Sequence, residues 1–176
     1  MNNLKTLTYD QVNEDTQKIF DGLKQKIGMV PNIYAAIAHS PVMLKALLAY
    51  GETIKSGEFS PKETEAIALT TGEENSCQYC LSAHSAIAQK LGFNEQEIVQ
   101  LRKGGIEDTK LKALTALTRE IVAQRGYPSH GLIEEFFSVG YSQAALAELI
   151  GLISLNIFTN YFNHIAKTEI DFAEVK

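Results

Sequence analysis

The chain contains no tryptophan, four prolines and only two cysteines in 176 residues. Both cysteines fall within four residues of each other, as Cys77 and Cys80, so a disulfide framework is excluded. A bond between them would close almost no loop and gain little stability by doing so. No basic cluster occurs, and the net charge is -5, which argues against a nucleic-acid partner. Long apolar runs are missing as well. The most apolar stretch, Ala144 to Phe158, is broken by Glu148 and Asn156 and reads as a buried helix too short to span a bilayer. Met1 to Asp10 lacks the basic start and apolar core of a secretory leader, so the expected location is the cytoplasm.

What is present is helical periodicity. An apolar fraction of 45% and a charged fraction of 21% suit one globular domain. The spacing predicts helices over Thr8–Ile27, Asn32–Ala38, Pro41 to about Ser56, Ser60–Glu74, Cys77–Leu91, Asn94–Lys103, Asp108–Arg125, Ser129–Val139 and Ser142 to about Thr168. Ser60-Pro61-Lys62-Glu63 carries a capping residue, a first-turn proline and a capping-box glutamate. Asn75 or Ser76 is the expected cap of the next helix. No segment alternates with a period of two, so the fold class is all-α. One domain, 1–176, divides into N-terminal helices (1–58), a Cys-x-x-Cys core (59–104) and C-terminal helices (105–176). The order of helices in 60–104 and 108–168 admits an internal repeat, although the sequences do not align convincingly.

The chemistry sits at the start of the fifth helix. On a wheel turning about 100° per residue, Cys80 and His84 lie within roughly 60° of Cys77, so the three share a face. Cys80 and His84 are also four apart, where helical side chains meet. A histidine there can take the thiol proton, and the helix start favours an anion on Cys77. A thiolate that attacks a peroxide becomes a sulfenic acid, and a neighbouring thiol condenses with it to a disulfide. Zinc would need a fourth ligand from Glu65 or another histidine. A c-type haem is excluded because Leu81, not histidine, follows Cys80. No metal or cofactor is expected. His39 and His130 read as exposed, while His164, Tyr161 and Phe162 read as core or interface residues.

The stretch Asn75-Ser76-Cys77-Gln78-Tyr79-Cys80-Leu81-Ser82-Ala83-His84, with Glu65 eleven residues before Cys77, resembles the core motif of the alkylhydroperoxidase D-like proteins. These belong to the carboxymuconolactone decarboxylase superfamily. The resemblance implies an all-α homo-oligomer with thiol peroxidase or disulfide reductase activity. It further implies that Glu65 and His84 relay protons, that Cys80 attacks a small hydroperoxide, and that Cys77 resolves it. The reductant would be a thiol or dithiol, such as a lipoylated protein in a peroxiredoxin system. Tyr79 departs from members that carry a second histidine there, and a phenol with pKa near 10 is a poor base at neutral pH. A lactone decarboxylase-like enzyme or a redox-sensing binding protein is the alternative on the same scaffold.

Overall fold

The computed structural model describes residues 3–173. Among them lie nine α-helices and no strand, in agreement with the all-α expectation. In chain order these are α1 (Glu14–Ile27), α2 (Asn32–Ile37), α3 (Pro41–Ile54), α4 (Pro61–Glu74), α5 (Gln78–Lys90), α6 (Glu95–Lys103), α7 (Thr109–Ala123), α8 (His130–Ser138) and α9 (Gln143–Ala166).

Capping chemistry explains most boundaries. Ser60 Oγ accepts from Glu63 N, while the Glu63 carboxylate accepts from Ser60 N at 2.8 Å, so two orphan amides at the head of α4 are satisfied reciprocally. Gly28 ends α1 with φ of 89°, a left-handed conformation that costs glycine nothing. The first helix begins later than the periodicity predicts. Tyr9–Gln11 forms a separate 3-10 turn, Val12 is extended, and Asn13 caps α1 by accepting from Thr16 N. Ile27, expected on the apolar side of that helix, is 47% exposed.

The centre of the molecule is α4. Every residue from Thr64 to Gly72 is buried, and the helix packs against α5, α6, α7 and α9. Its buried side chains are small or aliphatic (Ala66, Ile67, Ala68, Leu69) together with Thr64, Glu65, Thr70 and Thr71, and Thr70 and Thr71 donate to backbone carbonyls. Its last turn carries Glu73 and Glu74, an unfavourable place for negative charge. Arg102 from α6 bonds Glu73 at 2.8 Å, and Arg119 from α7 bonds Glu74, so neighbouring cations offset that cost. These two pairs hold the end of α4 from which the cysteine turn departs.

The last helix is longer than the stretch Ala144 to Phe158. By length and mean hydropathy alone, the full helix is long and apolar enough to cross a membrane. Within the structure it packs against α3 and α4, burying Leu149, Leu152 and Ile153. Each such side chain contributes about 1.5–3 kcal/mol when fully withdrawn from water. Its opposite side leaves Ile150 and Ile165 exposed. The helix expected to be buried is thus buried along one side only.

Candidate active site

The turn from α4 to α5 is built by three residues. Asn75 ends α4, Ser76 takes a positive φ of 54°, and Cys77 occupies the cap position of α5. Neither Asn75 nor Ser76, the caps expected by residue type, fills that role. Cys77 does so, its Sγ accepting from Cys80 N at 3.3 Å. It therefore precedes the first helical turn, so the wheel construction that began at Cys77 does not describe it. The Cys80 amide at the head of α5 points directly at the Cys77 sulfur. Cys77 N donates to Gly72 O at 2.9 Å, tying the turn back to α4. A Cβ on Gly72 would meet Leu81 and Cys80 at 3.4 and 3.7 Å, in ordinary contact with α5.

Cys77 and Cys80 are joined as a disulfide, with 5.3 Å between their Cα atoms. The two residues are 1% and 4% exposed, within a core group that includes Phe20, Leu44 and Leu47. His84, two turns along α5, hydrogen-bonds Glu65 of α4 through Nδ1 at 2.6 Å. An ionised carboxylate can only accept, so the ring nitrogen donates and Nε2 is left as the basic atom. The side chains are 4% exposed for Glu65 and 20% for His84. The pairing that family spacing implied for residues 65 and 84 is thus present as a direct contact.

Sequence reasoning missed the groups that α9 supplies. Asn163 is buried, and its Nδ2 lies 3.4 Å from Cys80 Sγ and 4.0 Å from Cys77 Sγ. One turn earlier, Asn160 is fully buried and its Oδ1 accepts from Asn75 Nδ2 at 2.9 Å. The signal was the spacing of Asn156, Asn160 and Asn163, which places three amides along one side of an apolar helix.

Tyr79 behaves as a fastener. Its hydroxyl accepts from Ile33 N at 3.3 Å, and its ring meets Phe172 edge-on at 5.7 Å. Burial pushes its ionisation well above the usual phenol value, and the hydrogen bonding and charge of Asp171 raise it further. Asp171 also accepts from Asn32 N at 2.7 Å. Tyr79 thus locks α5 to α2 and to the segment after α9, and stays protonated.

A cleft of about 530 Å³ opens beside this assembly between α1, α3, α4 and α9. His84, Thr64, Tyr34 and Asn156 line it together with Leu47 and Leu155, and neither cysteine does. The remaining histidines stand apart. His39 bonds Lys5 O, and His130 pairs with Glu134; both are exposed as expected. His164 is exposed beside Tyr161, which is itself 53% exposed, so Tyr161 is not the core residue expected, and of the core or interface positions expected for His164 the core one is ruled out. Among the described residues, no group of three or more His, Cys, Asp or Glu side chains is arranged to hold a metal ion.

With this geometry in view, residues 41–121 match the carboxymuconolactone decarboxylase family. That segment is less than half of the chain. The match runs from α3 into α7, and so contains Glu65, Cys77, Cys80 and His84. A peroxidase-related protein from Silicibacter sp. TM1040 superposes with a TM-score of 0.83 at 23% identity, over 95% of this chain and 92% of that one. An alkylhydroperoxidase core protein from Ralstonia eutropha JMP134 gives 0.84 at 18% identity, over 94% and 90%. A cysteine-to-alanine form of the debrominase Bmp8, in complex with 2,3,4-tribromopyrrole, gives 0.82 at 18% identity, over 97% and 92%. These likenesses establish the fold. No curated protein matches the sequence.

Proposed function

We propose that this chain is an alkylhydroperoxidase D-like member of the carboxymuconolactone decarboxylase superfamily and acts as a thiol-dependent hydroperoxide reductase and disulfide oxidoreductase. The observation that carries the reading is the Cys77–Cys80 pair on the same helix as a histidine backed by the Glu65 carboxylate. In the reduced protein, the Cys80 thiolate attacks one oxygen of a hydroperoxide. The O–O bond breaks, the alkoxide leaves with a proton as an alcohol, and Cys80 becomes a sulfenic acid. The Cys77 thiolate then attacks that sulfur, forms the disulfide and expels hydroxide, which leaves as water after protonation. His84 moves these protons at Nε2, with Glu65 holding its tautomer and stabilising its charged form. A thiol or dithiol reductant returns the pair to the dithiol by two exchange steps and is itself oxidised to a disulfide.

The deciding experiment times the return of the disulfide to dithiol with lipoamide, glutathione or thioredoxin, alongside peroxide consumption. Catalytic turnover with at least one donor is expected, and its loss in both Cys77→Ser and Cys80→Ser. Full peroxide turnover in both variants would overturn the reading. The burial of both sulfurs supports a second reading, a redox-sensing protein that forms the same bond but is slow with every donor. A lactone decarboxylase-like activity would survive alanine at both cysteines. The proposal includes a cytoplasmic homo-oligomer without nucleic-acid or membrane partners. Exposed Ile150 and Ile165 on α9 support a self-association face, which sedimentation would test.

A further inference from the structure

We propose that Asn163 is a further catalytic residue, whose side-chain amide recognises the thiolate–thiol pair and tunes it toward the reduced state. This rests on reading Cys77 and Cys80 as a redox pair. Three observations meet at this side chain. It comes from α9, a different element from the one carrying the cysteines, and it is 5% exposed. Its Nδ2 faces both sulfurs, at 3.4 and 4.0 Å. Its Oδ1 is buried and has no hydrogen-bond partner beside the disulfide.

The donor and acceptor inventory of the two redox states explains the mismatch. A disulfide offers weak acceptors and no donor, so an amide beside it can use its N–H groups but not its carbonyl. A dithiol with one proton removed offers a thiolate that accepts strongly and a thiol that donates. Nδ2–H then bonds the Cys80 thiolate, and Oδ1 accepts from the Cys77 S–H. Reduction therefore satisfies an acceptor that oxidation leaves unpaired, while charge strengthens the bond to sulfur. The reversed amide would place its carbonyl oxygen against the sulfurs, where the disulfide has nothing to donate and a thiolate would repel it.

The charged and titratable groups around the pair are few. On α5 these are His84 and the protonated Tyr79; on α4, Glu65, which is engaged with His84. Tyr34 of α2 packs on the same core group, and burial raises its ionisation. Asp171 acts beside Tyr79. On α9, Glu148 is spent on Glu58 N, while Tyr161 and His164 are exposed. The helix contributes only amides to the sulfurs.

The test uses the full chain with Asn163→Leu, which keeps volume without polarity, and Asn163→Asp, which keeps shape but replaces the donor with an anion. Iodoacetamide alkylation of the reduced protein against pH reads the thiolate, and equilibration with glutathione reads the balance of dithiol and disulfide. A hydrogen bond to a charged group, at about 1.5–3 kcal/mol, corresponds to about one pKa unit or more. Asn163→Leu should therefore leave about tenfold less thiolate below the pKa and move the equilibrium about tenfold toward disulfide, with a larger effect for Asn163→Asp. A purely structural role would move the melting temperature but neither readout. Unchanged alkylation and glutathione profiles in folded variants would overturn the proposal. In the unmutated protein, the Asn163 side-chain amide resonances should shift with the same midpoint as thiolate formation; their indifference would overturn it even if both variants failed to fold. Absence of peroxide turnover in the unmutated protein would count against the catalytic reading alone, because both equilibrium readouts remain measurable without it.

Discussion

The carboxylate of Glu65 and Nδ1 of His84 lie 2.6 Å apart across the α4–α5 contact, nineteen residues apart in the chain. A neutral histidine so held presents one tautomer, and a protonated one keeps a counter-ion at hand. Glu65→Gln preserves the shape and removes the charge. General acid–base catalysis is worth about 10²–10⁴-fold, so peroxide turnover in this variant should fall by about a hundredfold or more. The measurement is steady-state peroxide consumption with an excess of the best donor. Wild-type turnover would remove Glu65 from the relay. His84→Gln should also shift the pH profile of cysteine alkylation upward, and an unshifted profile would remove His84.

Tyr79 gives the opposite expectation. Its hydroxyl satisfies the buried Ile33 N–H, and the phenol remains protonated because burial, and then Asp171, oppose ionisation. Tyr79→Phe leaves a buried donor unpaired, at about 1–3 kcal/mol. In a chain of this size that lowers the melting temperature by about 2–4 °C per kcal/mol. Peroxide turnover per folded molecule should be unchanged. A large fall in turnover at constant stability would instead restore Tyr79 to the proton relay.

The crossing of α3 and α9 is tight at Gly151, where an added Cβ would collide with Ile54 Cδ1 and lie 3.0 Å from the Tyr50 hydroxyl. Gly151→Ala gains helix propensity of about 1 kcal/mol but overpacks the contact by about 1–3 kcal/mol. A net loss of stability is expected, and Ile54→Val in the same chain should recover part of it. Urea denaturation of the two single variants and the double variant measures this coupling. Strict additivity would show that the crossing relaxes in some other way.

Much of this architecture was legible because helix ends carry local chemistry. Ser60-Pro61 with Glu63, Ser40-Pro41 and Asn94 with Glu97 each mark a start through side chains that reach their own backbone amides. The start of α1 was misread because Thr8 and Asn13 both offer caps, and periodicity does not arbitrate between them. Cys77 as a cap was hidden for a different reason, since sulfur is a weak acceptor and Asn75 and Ser76 are the better candidates by type. Glu65 was found only through spacing; nothing local separates it from Glu63, Glu73 or Glu74. Each of those three acids is bonded, to Ser60 and Tyr141, to Arg102 and to Arg119 respectively. Asn163 was illegible because its partners lie on another helix, and a one-dimensional pattern reports burial but not what a side chain meets.

Glu63 links stability to pH. Burial opposes its charge, but hydrogen bonds from Ser60, Tyr141 and Lys110 outweigh burial and hold the carboxyl below its ordinary value of 4.5. Its folded-state pKa is therefore depressed relative to the unfolded chain. Such a group contributes stability that is fully present above the unfolded value and is lost as pH falls through the folded one. The native protein should lose stability as pH drops below about 4.5, and part of that slope belongs to this residue. Glu63→Gln keeps the cap geometry without the charge, so it should be less stable than the native chain at pH 7 and show a shallower acid limb. Denaturation midpoints from pH 7 down to pH 3 measure both effects. Parallel curves for the two proteins would mean that Ser60, Tyr141 and Lys110 stabilise the neutral carboxyl as well as the charged one, and the depression would then be absent.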